Sequence, residues 1–340
     1  MILLRIFKNS RSGGVFALMV IALAIFLPAF VQIWRPGGDA EVAPSGSYGL
    51  IGFSAMPFYN VLFGAIHRVP VLNRIIALAI LLILCNMLIR IGVRYVLLDF
   101  RSLMPAIFFL IFSAVLPGTQ QVSPALVGSI FYLSCFAILF DVHDKPPNTF
   151  SIFMASLVLA LGSMFYLKLI WFLPLLWISL GTLRPVNWRE LFYPVIAYLL
   201  LGFFLFAWYW GVQNDAPGFE NLIRENLQLR GSFKPLHFSV YLFYGYFMLV
   251  VLVASIYMIN RFQARKTVTQ NIYQVMFFMF LAGLLFFIFV SRFDTTSLIF
   301  ISFPITFILA NYFHRKKNHW AHETAIWIMI GLLVFMRVMI

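Results

Sequence analysis

The chain has little charge and almost no cysteine. Charged side chains make up 10% of its 340 residues, against about 25% in a typical soluble domain. This scarcity excludes an ordinary soluble enzyme. The two cysteines, Cys85 and Cys135, both lie inside apolar runs, so they predict small buried side chains and neither a disulfide framework nor a metal site.

The familiar chemical motifs are missing as well. The sequence contains no P-loop, dinucleotide-binding fingerprint, nucleophile elbow or HExxH pattern. Its apolar segments also lack the Asp, Glu and His relays that are typical of proton-coupled transporters. Function classes that depend on these motifs are therefore disfavoured.

Long apolar runs fill the chain instead. Hydrophobic residues make up 63% of it, and the runs are uniformly apolar without the alternation of a β-barrel. They predict an all-α, polytopic transmembrane helical bundle, with about eleven spanning helices in a single domain over residues 1–340. The expected spans are Val15–Trp34, Val71–Arg90, Ser102–Leu116, Pro124–Phe140, Phe150–Leu167, Leu169–Leu183, Leu191–Gly211, Phe238–Ile259, Ile272–Val290, Thr296–Tyr312 and Thr324–Met339.

The basic residues predict how the spans are oriented. The net charge is +13, but Lys and Arg sit in short clusters between apolar runs, which argues against nucleic acid as a partner. With a cytoplasmic N-terminus, fifteen of the 24 basic residues fall in inner connections. We therefore expect a multi-pass protein of a bacterial inner membrane, with membrane lipids as partners. Two longer outer connections, 35–70 and 212–237, are expected to form interfacial helices and to carry the function.

The first outer connection contains an acidic pair, Asp39 and Glu41, soon after the first span. Arg74 follows at the start of the second span, after the short apolar segment Pro57–Ile66. Acids at a membrane surface with an Arg nearby could hold a divalent metal or a pyrophosphate-bearing lipid. The alternative is a solvated loop without a specific ligand.

The second outer connection predicts an amphipathic helix over Phe219–Arg230. One face carries Phe219, Leu222, Ile223 and Leu227, whereas Glu220 and Arg224 lie on the other. The helix is expected to rest on the membrane. Cations at headgroup level could bind a lipid phosphate or could simply anchor the helix; these are Arg224, Arg230, Lys234 and His237.

A tight outer turn holds Arg292 and Asp294. Ionisable groups at this depth are costly and usually have a partner or a function. The two side chains are expected either to pair with each other or to face a common outer cavity, where Arg292 would help to bind substrate.

Several short patterns follow one another in the first half of the chain. Asp39 and Glu41 come after the first span, and then Met56-Pro57-Phe58-Tyr59 and Asn73-Arg74. Arg101–Pro117 reads R-x-L-x-P-A…P, and Gly162–Leu180 reads G-x-x-x-x-x-K…L-P-L-L, with Lys168 and Pro174. In this order they resemble the N-terminal core of the GT-C glycosyltransferases over about residues 1–183. A second pattern, from Leu183 to Glu190, is similar to an uncharacterised family of Bacteroidetes integral membrane proteins and implies no activity.

The GT-C resemblance implies an enzyme at the outer face that uses a polyprenyl-phosphate-linked sugar. Asp39 or Glu41 would then be the catalytic base or a metal ligand, and the outer cations, Arg74 among them, would hold the donor phosphate. Two alternatives stay open. The chain could be a non-catalytic subunit or scaffold of an envelope complex with other membrane subunits, or a transporter or flippase of a lipid-linked substrate.

Overall fold

The computed structural model describes residues 12–33, 56–98, 102–113, 120–142, 149–212, 214, 216–227, 237–260, 267–314 and 319–339. Over these residues it is all-α, as the sequence predicts. The α-helices are α1 Ser12–Ile33, α2 Pro57–Phe63, α3 Pro70–Arg94, α4 Met104–Ser113, α5 Pro124–Phe140, α6 Thr149–Ser163, α7 Leu173–Leu183, α8 Phe192–Gly211, α9 Ala216–Leu227, α10 Phe238–Ile259, α11 Thr267–Leu285, α12 Leu298–His314 and α13 His319–Met339. Short 3₁₀ turns cover Ile66–Arg68, Leu167–Phe172, Trp188–Leu191 and Thr295–Ser297, and the π-turn Phe286–Val290 extends α11.

Five helical segments of the described chain are long and apolar enough to cross a membrane unaided. They are Pro70–Arg94, Trp188–Gly211, Phe238–Ile259, Thr267–Val290 and Thr295–Phe313. Six shorter apolar helices coincide with the remaining predicted spans. A helix satisfies its backbone hydrogen bonds internally, as the bilayer requires. The chain is thus a multi-pass integral membrane protein.

Burial distinguishes central from peripheral helices. Of the most apolar 18-residue stretch in Thr295–Phe313, 89% is buried inside the protein. In Trp188–Gly211 the buried share is only 17%. Helix α12 is therefore central and packs on α4, α10 and α11. Helix α8 is peripheral, and it exposes large apolar side chains such as Leu199 and Phe203. We infer that this exposed surface faces lipid.

Aromatic rings fill the space around Tyr132 on α5. The Tyr132 ring centroid lies 4.8 Å from that of Phe172 and 5.3 Å from that of Phe300. Phe286 extends the cluster, at 4.8 Å from Phe172 and 5.6 Å from Phe300. Each such pair adds about 0.5–1.5 kcal/mol beyond area burial. Since lipid is as apolar as these rings, this close packing is what holds the helices together.

Successive spans alternate in direction, so their connections gather at two ends. One end carries α2, α9, the turn Leu167–Phe172 and the turn Thr295–Ser297, and we call it the α9 end. These are the connections that the sequence places outside. Which side of the membrane the α9 end faces stays a prediction.

Candidate functional site

A small cavity lies at the α9 end. Side chains from five separate parts of the chain line it, namely Met56, Pro124, Ala125, Phe165, Tyr166, Leu167, Lys168, Asn226, Asp294 and Thr296. Lys168 is only 2% exposed, and Thr296 and Asn226 are also buried. The cavity volume is about 20 Å³, which is room for about one water molecule. Its converging polar groups mark it as a candidate site, but it is far smaller than a pocket for a small-molecule ligand.

Lys168 reaches the cavity because two helices approach closely. A Cβ on Gly162 would lie 2.7 Å from Cβ of Phe131 on α5, so no larger residue fits there without movement. After Gly162 the chain turns sharply: its carbonyl accepts hydrogen bonds from the amides of Phe165 and Tyr166, both at 3.0 Å. The G-x-x-x-x-x-K pattern thus has a physical reason, because the glycine lets the turn dock on α5 and present Lys168.

Asp294 and Thr296 come from the connection between α11 and α12. Asp294 Oδ1 accepts from the Thr296 amide at 3.1 Å, and its Oδ2 accepts from the Thr296 hydroxyl at 2.7 Å. Burial raises the pKa of Asp294, although these two hydrogen bonds and the positive charge of Lys168 oppose the rise. The acid and the amine therefore share one poorly solvated region.

The backbone just before Asp294 is strained. Arg292 and Phe293 have positive φ angles of 48° and 66°, which non-glycine residues adopt at a cost. The Phe293 amide donates to the Phe287 carbonyl at 3.0 Å, and the Ser291 and Ser297 hydroxyls lie 2.6 Å apart. This turn is fixed by its own hydrogen bonds, and it directs Asp294 to the cavity while Arg292 stays exposed.

Helix α9 covers the cavity. Leu222 and Phe219 pack with Met56 and Leu205 in a small second core, and Asn226 lines the cavity itself. The predicted apolar face is therefore real, but part of it packs on protein rather than lipid. Arg224 lies on the exposed face.

A ring of hydrogen bonds joins α2 and α3 to the segment before α5. Tyr59 Oη lies 2.9 Å from His67 Nε2 and donates to the Val122 carbonyl at 2.9 Å. The Val122 amide donates to Asn73 Oδ1 at 2.9 Å, and Asn73 Nδ2 lies 3.5 Å from His67 Nδ1. Neutral His67 with its proton on Nε2 satisfies every contact. Burial lowers the pKa of His67, which favours that neutral form.

Arg74 follows Asn73 on α3 and is only 5% exposed. Its Nη1 has no hydrogen-bond partner among the described residues. A guanidinium group in a poorly solvated place gains much from an anionic partner, and its planar donors match a phosphate or a carboxylate. Arg74 is thus the strongest candidate for an anion-binding side chain.

The other predicted site residues are either exposed or lie outside the described residues. Asp39, Glu41, Arg230 and Lys234 lie outside the described residues. His237 is exposed and caps α10, since its Nδ1 accepts from the Ser239 amide at 3.4 Å, so it has a structural task. Arg224 and Arg292 are both exposed.

Sequence reasoning named Asp294 but missed Asn226 and Thr296 as its neighbours. Polar residues are common in connections, and only the fold shows that these two are buried. No group of three His, Cys, Asp or Glu side chains that could hold a metal ion occurs in the described part of the chain.

Comparison with known proteins identifies no relative of this chain. No protein-family model, no curated protein and no solved structure matches the chain.

Proposed function

We propose that the protein is a membrane transferase of the GT-C type, which takes a sugar from a polyprenyl-phosphate donor at the α9 end of the bundle. One observation carries the proposal. Met56 and Lys168, from two separate stretches that resemble the family, line the same cavity. Asn73, from a third stretch, bonds to Val122 two residues before Pro124 of that cavity.

Arg74 supplies the phosphate contact in this proposal. It is buried, and its Nη1 has no protein partner among the described residues. A donor phosphate would provide the acceptor oxygens that such a cation requires. The exposed Arg224 could add charge at the surface, which favours encounter with an anionic headgroup more than tight binding.

The reaction would transfer a glycosyl group to a hydroxyl. Asp39 or Glu41 takes the proton of the acceptor hydroxyl while its oxygen bonds to the anomeric carbon. The bond from that carbon to the phosphate oxygen breaks, and its electron pair leaves with the polyprenyl phosphate. A positioned general base contributes about 10²–10⁴-fold, and the cation at the leaving phosphate stabilises the charge that develops there.

Four variants test the proposal. Arg74→Gln should weaken binding of polyprenyl phosphate to the purified protein about tenfold or more, because it removes a buried charge from the phosphate contact. Arg94→Gln is the control: Arg94 is an exposed cation at the opposite end of the same helix, and its loss should leave binding unchanged. Asp39→Asn and Glu41→Gln should keep binding but prevent complementation of a deletion strain at normal protein level.

A non-catalytic scaffold gives the reverse pattern. Full complementation by the double acid variant would end the transferase proposal. If the wild-type protein binds polyprenyl phosphate and the uncharged polyprenol equally well, the proposed phosphate contact of Arg74 is wrong.

A further inference from the structure

One cation in the connection between α7 and α8 has no ion pair with any described residue. Arg184 Nη2 lies 2.7 Å from Glu190 Oε1, so these two charges neutralise each other. The segment 184–190 holds two basic residues and one acidic residue, which gives a net charge of +1. Arg189 is the second basic residue, and it is exposed. The net positive charge of the connection therefore lies on Arg189.

An exposed indole ring lies beside this cation. The guanidinium carbon of Arg189 is 5.8 Å from the centroid of the Trp188 ring, which is within the range of a cation–π interaction. Trp188 is 68% exposed, and its ring makes a T-shaped contact with Phe192 at 6.0 Å. Exposed tryptophan at the end of a spanning helix is typical of the level of the lipid headgroups. The pair Trp188 and Arg189 therefore marks that level on the bundle.

Hydrogen bonds on both sides of the pair fix the backbone that carries it. The Glu190 amide donates to the Asn187 carbonyl at 2.9 Å, and Glu190 Oε2 accepts from the Asn187 amide at 3.4 Å. On the other side, Trp177 Nε1 donates to the Leu191 carbonyl at 3.0 Å. A cation on a fixed turn loses less conformational freedom when it binds an anion.

An apolar column follows α8 directly after this turn. Phe192, Ile196, Leu199 and Phe203 lie on one face of the helix, and they are between 47% and 67% exposed. At about 1.5 Å per residue, the helix rises about 16 Å from Phe192 to Phe203. The hydrocarbon of one leaflet is about 15 Å thick, half of the bilayer core. The column therefore matches the length of an acyl chain in one leaflet.

The cation decides between the two occupants that such a column could have. A helix of a partner protein would cover the column without any need for a charge at its end. A phospholipid places a phosphate at the headgroup level, and a guanidinium group binds phosphate through two parallel hydrogen bonds. In an anionic lipid no ammonium group offsets the phosphate charge, so charge complementarity with Arg189 favours this class.

We infer that the surface formed by Trp188, Arg189 and the apolar column of α8 binds one anionic phospholipid. The phosphate lies at Arg189, the glycerol region beside Trp188, and one acyl chain along the column. This lipid site lies at the end of the bundle opposite α9. It does not depend on the proposed transferase activity.

Native mass spectrometry of the purified full-length protein tests the inference. The micelles contain phosphatidylglycerol and phosphatidylcholine with the same acyl chains, and the lipids retained on the protein are counted. The wild-type protein should retain at least one phosphatidylglycerol in preference to phosphatidylcholine. Arg189→Gln should retain one fewer, because loss of one basic residue at an anionic headgroup weakens binding about fivefold. Since Arg189 is exposed, its thermal unfolding midpoint should not change.

Arg90→Gln is the control, because Arg90 is an exposed cation in the last part of α3, towards the same end of the bundle. It should keep the wild-type number of retained phosphatidylglycerol molecules. Excess inorganic phosphate should not displace the lipid from the wild-type protein, since the acyl chain contributes to binding.

Three results would overturn the lipid site. The first is equal retention of the two lipids by the wild-type protein. The second is an equal loss in Arg189→Gln and Arg90→Gln, which would mean that any exposed cation at this end suffices. The third is complete displacement by inorganic phosphate, which would mean that Arg189 binds free anions and that α8 takes no part.

Discussion

The two ends of the bundle use their charged residues in different ways. At the end opposite α9, Arg184 Nη2 lies 2.7 Å from Glu190 Oε1 and Arg94 Nη2 lies 2.8 Å from Asp141 Oδ2. Glu190 also accepts from the Asn187 amide at 3.4 Å. At the α9 end, Lys168 and Asp294 line one cavity.

The charged residues thus close a turn at one end of the bundle and line a cavity at the other. The Arg184–Glu190 pair closes the turn Trp188–Leu191, and Trp177 Nε1 donates to the Leu191 carbonyl at 3.0 Å beside it. The segment Leu183–Glu190 therefore forms an ion-paired connection between α7 and α8.

The largest effect is expected when the Arg184–Glu190 ion pair is broken. Arg184→Met leaves Glu190, whose side chain is 5% exposed, as a buried carboxylate without its ion pair. We expect a loss of about 3–5 kcal/mol of unfolding free energy. The measurement is reversible unfolding in mixed micelles.

Two further variants sharpen that result. The double variant Arg184→Met, Glu190→Gln should recover part of the loss, because no charge is then left unpaired. Asp294→Asn at the α9 end should change stability far less, because the amide oxygen still accepts one of the two Thr296 hydrogen bonds. An equal stability loss at both ends would contradict the division of tasks.

An intermediate effect is expected at Gly162, where the turn that carries Lys168 packs on α5. Gly162→Ala puts a methyl group 2.7 Å from Cβ of Phe131 and 2.9 Å from Cδ1 of Leu169. The overpacking should cost about 1–3 kcal/mol and displace the turn that carries Lys168. Unfolding in micelles and lipid binding are measured together.

Gly202→Ala on α8 is the control, because nothing lies within 4 Å of the added Cβ. It should be neutral or slightly stabilising, since alanine favours the helix. Unchanged stability of Gly162→Ala would mean that α5 and the turn can separate without cost.

The smallest effect concerns pH at His67. Burial lowers its pKa in the folded state, so the unfolded chain binds more protons as the pH falls below the ordinary value of about 6.5. The folded protein should therefore lose stability below that pH and keep it above. Protonated His67 can no longer accept the hydrogen bond from Asn73 Nδ2. Such a bond is worth about 1 kcal/mol.

Thermal unfolding at about pH 7.5 and about pH 5.5 measures this effect. In His67→Gln the decrease between the two values should be smaller than in the wild-type protein, because the variant side chain does not titrate. An identical decrease would assign the pH response to other titratable groups.

The sequence predicted much of the fold and part of the site. The apolar runs predicted the helices, and the amphipathic pattern of Phe219–Arg230 predicted a helix that the structure shows over Ala216–Leu227 as α9. It also singled out Lys168, Asp294 and Arg74. It could not show that Asn226 and Thr296 meet Lys168, because these contacts join segments far apart in the chain.

The sequence alone determined that the chain is an all-α membrane protein, because local hydrophobicity and the bilayer's demand for internal backbone hydrogen bonds leave no other choice. Only the tertiary structure decided which charged side chains come together, such as Arg184 with Glu190 in one turn and Lys168 with Asp294 at the cavity. The physical reason is that pairing depends on distances between side chains of different helices. These distances are set by close packing, such as that of Gly162 against Phe131, and hydropathy carries no information about them.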